Sequence, residues 1–341
     1  MSPRIAAVAA AAVLALGAAR AGAQESVVVA TFGGSFLDDT KTCVVTPFEK
    51  ATGAKTAIQL GNSVQTAAAL RAMGGHPTYD VAYMDNSLAT QLKNEGLLQP
   101  LDVGKLASYG EVDKNAFGPD NSYVAFEISA TAIVYDPKAV KTPPTSWNDL
   151  FDAQYQGRMA LGDITGTSGI QTMLAVNRMK GGTLEDVNPG MAAMKTIVPH
   201  AVTLYTQADQ LLALFQRGDI VMAPWYPDRA GSAIDKGYSL AVAYPKEGAV
   251  GVKPVLVIPK GAPHEALALK YVDTVLSHDS QSCFTERQYA APVNQTVKLT
   301  DKVAKIVASG EDYKRLWFPD PQVVAAHLPE WIRQWQRFVA H

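Results

Sequence analysis

The sequence lacks the short motifs that identify common classes of hydrolase and nucleotide-binding protein. It has no Gly-x-Ser-x-Gly elbow and no P-loop, and Ala268 stands where a metalloprotease motif beginning at His264-Glu265 needs its second histidine. The six histidines are scattered along the chain without the spacing of metal ligands. No nucleophile, general base or metal site is visible, and we predict a protein without catalytic activity, metal or cofactor.

The N-terminal apolar run is too short to span a membrane as a helix. It extends from Ile5 to Ala19, about 15 residues against the ~20 that a bilayer requires. Arg4 precedes it, and Ala21-Gly22-Ala23 follows with the small residues that signal peptidase prefers. We therefore predict a signal peptide over residues 1–23, cleaved on export to the periplasm, rather than a retained anchor.

Charge of either sign is scarce and nearly balanced. The chain has 30 Lys and Arg against 32 Asp and Glu. Cleavage after residue 23 removes Arg4 and Arg20 and leaves 28 basic side chains, so the mature protein is about four charges negative. Such a balance argues against nucleic acid or an anionic membrane as a partner.

Cysteine occurs only at Cys43 and Cys283. An even pair in an exported chain favours one disulfide bond, because the compartment permits it. Two buried free thiols are the alternative, since sequence does not show whether the two Cα atoms approach each other.

Short apolar strands alternate steadily with helical segments along the chain. Strand patterns at residues 26–31, 55–60 and 80–84 are each followed by a helical pattern, and a strand at 255–258 precedes a helix at 265–276. This alternation predicts an α/β protein with mostly parallel sheets covered by helices. About 318 mature residues are enough for two cores, and without a linker the two lobes must be interleaved.

Two glycine-rich turns between a strand and a helix are the strongest local signals for binding. One is Gly33-Gly34-Ser35, preceded by Phe32, and the other runs from Asp163 through Thr165 to Gly169. Each offers backbone N–H groups and hydroxyls at the positive end of a helix, which suits a carboxylate, phosphate or phosphonate. Ordinary helix capping is the alternative for either turn taken alone.

Three further segments are candidates for ligand contact. Asp85-Asn86 follows a strand, Trp225-Tyr226 ends one between two prolines, and Arg229 lies four residues beyond Trp225. An aromatic pair can stack on a ligand, and an arginine can clamp a carboxylate. The alternatives are an aromatic pair that fills the lobe interface and a surface arginine without a specific role.

Several blocks of sequence together resemble the periplasmic solute-binding proteins of ABC importers, in particular the polyamine-type branch of the type II fold. Their order and spacing carry the resemblance over nearly the whole mature chain. The blocks are Thr31–Ser35, Pro47–Gly53, Tyr79–Val81, Ala130–Ile133, Thr145–Leu150 with Tyr155–Gly157, Tyr244–Gly248 and Ala291–Asn294.

The resemblance implies two α/β lobes joined by hinge crossovers near residues 130–136 and 250–258. Lobe I is expected to comprise residues 24–133 and about 255–299, and lobe II residues 134–254 and about 300–341. Closure of the lobes on a small molecule would present the protein, expected to be a monomer, to an inner-membrane ABC permease. Both cysteines would lie in lobe I.

Departures from the polyamine-type pattern guide the expected ligand. Val252 and Pro254 occupy the positions of a Trp-x-Asp that holds amines in that branch, and Ser168 replaces an acid of the second glycine turn. Fewer carboxylates would leave a polyamine poorly neutralised in a desolvated cleft. We therefore expect an anionic or zwitterionic solute such as a carboxylate, an amino-acid-like compound or a phosphonate. A putrescine- or spermidine-type polyamine is the alternative, and ferric-ion binding and an exported hydrolase are weaker ones.

Turns, strand ends and aromatic residues together provide the predicted ligand contacts. They are Phe32, Gly33, Gly34, Ser35, Asp85, Asn86, Thr131, Asp163, Thr165, Thr167, Ser168, Trp225, Tyr226 and Arg229.

Overall fold

The computed structural model describes residues 25–308 and 310–339. The predicted signal peptide lies outside the described residues. Across those that are described, none of the helices has the length and apolar character needed to cross a membrane.

Short strands form two main sheets and one separate two-stranded sheet, which consists of the seventh and eighth strands. In chain order they are β1 (Ser26–Thr31), β2 (Lys55–Leu60), β3 (Val81–Asp85), β4 (Leu98–Gln99), β5 (Val124–Ala125), β6 (Glu127–Tyr135), β7 (Leu161–Gly162), β8 (Leu204–Tyr205), β9 (Met222–Trp225), β10 (Ala241–Ala243), β11 (Val250–Val252), β12 (Pro254–Pro259) and β13 (Ala291–Pro292).

Helices follow most of the strands, as the alternating pattern predicts. They are α1 (Ser35–Thr40), α2 (Thr46–Thr52), α3 (Ser63–Ala72), α4 (Asn86–Asn94), α5 (Thr167–Met179), α6 (Asn188–Ile197), α7 (Gln210–Arg217), α8 (Pro227–Asp235), α9 (Glu265–Leu276), α10 (His278–Gln288), α11 (Asp301–Ala304), α12 (Gly310–Arg315) and α13 (Pro321–Val339). A π-helical turn, Lys41–Val45, joins α1 to α2.

The first sheet has the order β2-β1-β3-β12-β4, with β5 also paired to β12. β1 runs parallel to β2 and β3, whereas β12 is antiparallel to its neighbours. In the second sheet, β6 pairs antiparallel with β9, β10, β11 and β13. The expectation of mostly parallel pairing thus holds around β1 and in the separate pair of β7 and β8. It fails elsewhere, because strand–helix alternation does not fix the direction of strands that arrive from the other sheet.

The chain passes between the two sheets at two short crossovers. Phe126 separates β5 of the first sheet from β6 of the second, and Lys253 separates β11 of the second from β12 of the first. We call the elements around the first sheet lobe I and those around the second lobe II. The first crossover lies earlier in the chain than the predicted boundary at residues 133/134, because β6 pairs within the second sheet along its whole length.

Cys43 and Cys283 form a disulfide bond, with Cα atoms 5.5 Å apart, which confirms the predicted pairing. The bond joins the π-helical turn to α10, two segments 240 residues apart in sequence. Nearby, the Ser280 hydroxyl donates a hydrogen bond to the carbonyl oxygen of Cys43 at 2.8 Å. Early and late parts of the chain are therefore fastened to each other.

The C-terminal helix α13 contacts both lobes. On the lobe I side, Gln91 of α4 donates a hydrogen bond of 2.7 Å to the carbonyl oxygen of Ala325. On the lobe II side, the indole N–H of Trp335 donates to Asp163 Oδ2 at 3.2 Å. A helix that the sequence assigns to lobe II thus packs extensively on α4 of lobe I.

Candidate ligand-binding cleft

A cavity of about 330 Å³ lies between the two lobes and is lined by residues of both. It is found where the glycine-rich turns follow the strands, as expected for open α/β sheets. Nine of the fourteen predicted ligand-binding residues line it: Phe32, Gly33, Gly34, Asp85, Asp163, Thr167, Ser168, Tyr226 and Arg229.

The first glycine turn holds a carboxylate of the protein itself. The Ser35 N–H, at the start of α1, donates to Asp209 Oδ2 at 2.8 Å. Arg229 Nη1 lies 3.2 Å from Asp209 Oδ1 and donates to Ser35 Oγ at 2.9 Å. Gly34 has φ 66°, and a Cβ added there would overlap the Asp209 carboxylate. The position that the sequence assigns to a ligand anion is therefore filled from lobe II.

The second glycine turn leaves two of its backbone donors free, the N–H groups of Thr167 and Ser168. Gly162 and Gly169 come so close that a Cβ on Gly162 would lie 2.5 Å from the N atom of Gly169, which places the start of α5 directly beside β7. In the part of the chain that the structure describes, no group accepts a hydrogen bond from the N–H of Thr167 or Ser168. Both residues line the cavity. This helix end can therefore accept an anionic group.

Asp163 of this turn lines the cavity, but its carboxylate is already paired. Oδ1 accepts the N–H of Thr165 at 2.9 Å and its hydroxyl at 2.5 Å. Oδ2 accepts the indole N–H of Trp335. Asp163 therefore shapes the turn more than it offers a charge to a ligand.

Asp85 lies at the end of β3 and meets lobe II across the cavity. Its Oδ2 accepts a hydrogen bond from the Thr167 hydroxyl, and its own N–H donates to Ser63 Oγ at 3.1 Å. Burial raises the pKa of Asp85 to about 6, although the hydrogen bonds from Thr167 and Ser63 oppose the rise. The carboxyl group is therefore mostly ionised at neutral pH, and a neighbouring cation would favour the ionised form further.

Glu127 and Asp228 form a second acidic group beside Arg229. Glu127 is only 5% exposed, and its Oε2 has no hydrogen-bond partner among the described residues. Asp228 Oδ1 accepts from Ser129 at 2.5 Å, and Asp228 Oδ2 lies 3.8 Å from Arg229 Nε. Burial raises the pKa of Glu127 well above its usual range, the Asp228 charge adds to the rise, and Arg229 opposes it.

The cavity is consequently acidic, with partly aromatic walls. Its carboxyl groups belong to Asp85, Glu127, Asp163, Asp209 and Asp228, against the single guanidinium of Arg229. The aromatic lining residues are Phe32, Phe36, Tyr205 and Tyr226. Within residues 25–308 and 310–339, no three His, Cys, Asp or Glu side chains are arranged to hold a metal ion.

A sequence profile described as bacterial extracellular solute-binding protein matches residues 44–310. The chain belongs to this family. Its fold is that of the type II periplasmic binding proteins. Proteins of this family bind solutes outside the cytoplasm, so the resemblance to solute-binding proteins seen in the sequence is confirmed.

Relatives of this solute-binding protein differ in the ligands for which they are named. The spermidine/putrescine-binding periplasmic protein of Escherichia coli K12 is 26% identical over 244 residues, 68% of each chain. The gamma-aminobutyric acid-binding protein of Pseudomonas aeruginosa is 23% identical over 305 residues, 86% of this chain and 84% of the relative. A periplasmic binding protein from A. tumefaciens R10, solved in complex with agropinic acid, is 20% identical with a TM-score of 0.80, covering 93% and 99% of the two chains.

Trp225 does not line the cavity of this solute-binding protein, so its expected stacking on a ligand is corrected. The indole is fully buried and packs against Phe215 of α7 with ring centroids 6.4 Å apart. Successive side chains at a strand end point to opposite faces, so Trp225 faces the lobe II core while Tyr226 faces the cavity.

Four other predicted residues also lie outside the cavity lining. Thr131 is buried in β6 and donates to Gln171, and Thr165 donates to Asp163 within its turn. Ser35 is hydrogen-bonded to Asp209 and Arg229, which line the cavity. Asn86 lines a smaller neighbouring cavity of about 40 Å³ instead.

The sequence reasoning missed the acids that dominate the cavity: Glu127, Asp209 and Asp228. Asp228 directly precedes the predicted Arg229, and Asp209 stands at the start of α7, where an acid commonly serves as a cap. The sequence does carry an indication that Glu127 is special, because this residue is an isolated acid within the apolar run from Val124 to Ile128. An acid there requires either a partner or a function.

Proposed function

We propose that this solute-binding protein captures a small zwitterion with an amino group and an acidic group, such as an ω-amino acid. The observation that carries the proposal is the pairing, in one cavity, of an unpartnered buried carboxyl group with a free helix N-terminus. The ligand would bring the two opposite charges that these two features lack.

The amino group is proposed to bind between Glu127 and Asp85. Glu127 Oε2 is buried without a partner, which costs free energy unless a donor is supplied. An ammonium has three donors and a charge of the required sign. The sequence alone favoured an anionic or zwitterionic ligand. The acids that line the cavity argue against a purely anionic one.

The acidic group is proposed to bind at the start of α5. The N–H groups of Thr167 and Ser168 line the cavity at the positive end of a 13-residue helix. Arg229 is a poorer partner, because Asp209 and Asp228 already surround its guanidinium. The aromatic walls suit a short aliphatic chain between the two charged ends.

A polyamine is the second candidate, and the number of carboxyl groups is the observation that favours it. Asp85, Glu127 and Asp228 could together neutralise two ammonium groups. This reading leaves the free N–H groups of α5 without an anion, which is why we rank it second.

We also propose how the protein is exported, where it acts and how its lobes move. We propose that residues 1–23 are removed on export, that the mature protein acts in the periplasm as a monomer, and that it binds without catalysis or nucleic acid. We further propose that the lobes hinge at Phe126 and Lys253, close on the ligand and dock on an inner-membrane permease.

Isothermal titration calorimetry with four matched compounds tests the ligand class. 4-Aminobutyrate carries both charges, butyrate and butylamine one each, and putrescine two amines. We expect 4-aminobutyrate to bind most tightly and both single-charge compounds to bind at least tenfold more weakly, since each charge-assisted contact contributes about 1.5–3 kcal/mol. Tighter binding of putrescine would support the polyamine, and equal binding of butyrate would refute the role of the acids.

A further inference from the structure

Asp209 stands at the start of α7 in lobe II, with a side chain 28% exposed, yet its carboxylate does not cap its own helix. Both of its oxygens are used elsewhere: Oδ2 accepts the Ser35 N–H of lobe I at 2.8 Å, and Oδ1 lies 3.2 Å from Arg229 Nη1. The absence of a Cβ at Gly34 provides the room that this carboxylate occupies. The turn and the acid are therefore matched in shape across the cleft.

Arg229 reinforces the same junction. Its Nη1 donates to Ser35 Oγ at 2.9 Å and lies 3.4 Å from the carbonyl oxygen of Gly33, both in lobe I. Asp228 stands 3.8 Å from its Nε. The hydrogen bonds of Asp209 and Arg229 to Gly33 and Ser35 thus all go to one short segment of lobe I, and opening of the lobes would break them together.

We infer that Asp209 is a latch that holds the lobes closed in the empty protein, by placing a carboxylate of lobe II on the first glycine turn of lobe I. The inference rests on the proposed hinge motion but not on the ligand class. Asp209 is a positioning residue in this role: it sets the fraction of protein in the closed state, and apparent ligand affinity scales with that fraction.

The expected size of the effect follows from the type of bond. A hydrogen bond to a charged group contributes enough free energy to change an equilibrium about ten- to a hundredfold. Loss of the Asp209 carboxylate is therefore expected to shift the open-to-closed ratio of the empty protein by about that factor. Asp209→Asn keeps the shape and loses the charge, so its shift is expected to be smaller than that of Asp209→Ala.

Small-angle X-ray scattering of the mature protein without any ligand tests the latch. The wild type is expected to have a radius of gyration near that of a compact chain of its length, about 20 Å. Asp209→Ala is expected to have a larger radius, with Asp209→Asn between them. Asp219→Ala, which removes a surface carboxylate paired with Arg217, is the matched control and is expected to leave the radius unchanged.

Circular dichroism and thermal unfolding of each variant separate lobe opening from unfolding. A folded Asp209→Ala protein whose empty radius equals that of the wild type would overturn the inference, as would an empty wild-type protein that is already expanded. If calorimetry then showed weaker 4-aminobutyrate binding with no change of radius, Asp209 would be a ligand contact and not a latch. A failure of 4-aminobutyrate to bind at all would count against the proposed ligand class only.

Discussion

Replacement of Glu127 by Gln is the most direct probe of how the cleft recognises an amino group. The carboxyl group is 5% exposed at the first crossover, and burial together with the neighbouring Asp228 raises its pKa well above the usual range. The raised pKa favours the protonated form of Glu127, and a bound ammonium would favour the ionised form. Gln keeps the shape of the protonated side chain but cannot supply the charge.

The magnitude follows from the contact that is lost. A hydrogen bond between an ammonium and a carboxylate contributes about 1.5–3 kcal/mol, so Glu127→Gln is expected to weaken 4-aminobutyrate binding about ten- to a hundredfold. Because a bound ammonium favours the ionised form of Glu127, binding to the wild type is expected to release more protons per ligand than binding to the variant.

Calorimetric titrations in phosphate and Tris buffers measure the number of protons released, because the two buffers differ in ionisation enthalpy. Glu311→Gln is the matched control, since it removes the same charge from an exposed pair with Lys314. Equal affinity and equal proton release in Glu127→Gln and wild type would refute the assignment of Glu127 to the amino group.

The same raised pKa makes a prediction for the stability of the empty protein. Because the pKa of Glu127 is higher in the folded state than in the unfolded state, the folded state binds more protons at pH values between the two. The contribution of Glu127 to the free energy of unfolding therefore falls as pH rises through that interval. Glu127→Gln removes this fall, so its melting temperature is expected to exceed that of the wild type more at pH 8 than at pH 4.

Three further predictions concern single positions. Gly34→Ala is expected to give an expanded empty protein in scattering, because the added Cβ would overlap the Asp209 carboxylate; an unchanged radius would contradict this. Trp225→Ala is expected to lower the free energy of unfolding by about 3–5 kcal/mol in denaturant titrations, because it empties a buried site, and a loss below 1 kcal/mol would argue against its core position. Reduction of the bond between Cys43 and Cys283 is expected to cost up to about 5 kcal/mol of stability, given a loop of 240 residues, and a fully reduced protein of unchanged melting temperature would refute that estimate.

Much of the secondary structure was predictable because its signals are local. The strand at residues 55–60 and the helix at 265–276 were predicted with the bounds that the structure gives them. Turn and cap residues mark such ends within a few positions of the chain. The direction of pairing in the second sheet was not predictable, because it depends on how β6 and β11 enter from the other lobe.

The residues of the cavity also divide into those that local sequence predicts and those that it does not. Glycine, serine and threonine of the two turns were identified from their position between a strand and a helix. Most of them line the cleft, whereas Ser35 is hydrogen-bonded to Arg229 beside it and Thr165 to Asp163 within its own turn. Trp225 was wrongly assigned to the cleft, because side chains alternate between the two faces of a strand and its neighbour faces the cavity instead. The sequence shows which face a residue occupies only when the end of the strand is known. Asp209, which meets the first turn only in the folded protein, was not identified.

The sequence by itself determined the α/β class, the family and the positions of both glycine turns, since each depends on local patterns and their order along the chain. It also determined the pairing partners available for one disulfide, because the chain has only two cysteines. Only the tertiary structure decided what those turns face. Folding brings the Asp209 carboxylate onto the first turn and buries Glu127 beside Asp228. It leaves the N–H groups of Thr167 and Ser168 in the second turn without an acceptor among the described residues. Charge recognition depends on distances of a few ångströms between atoms far apart in the chain, and only the folded protein sets those distances.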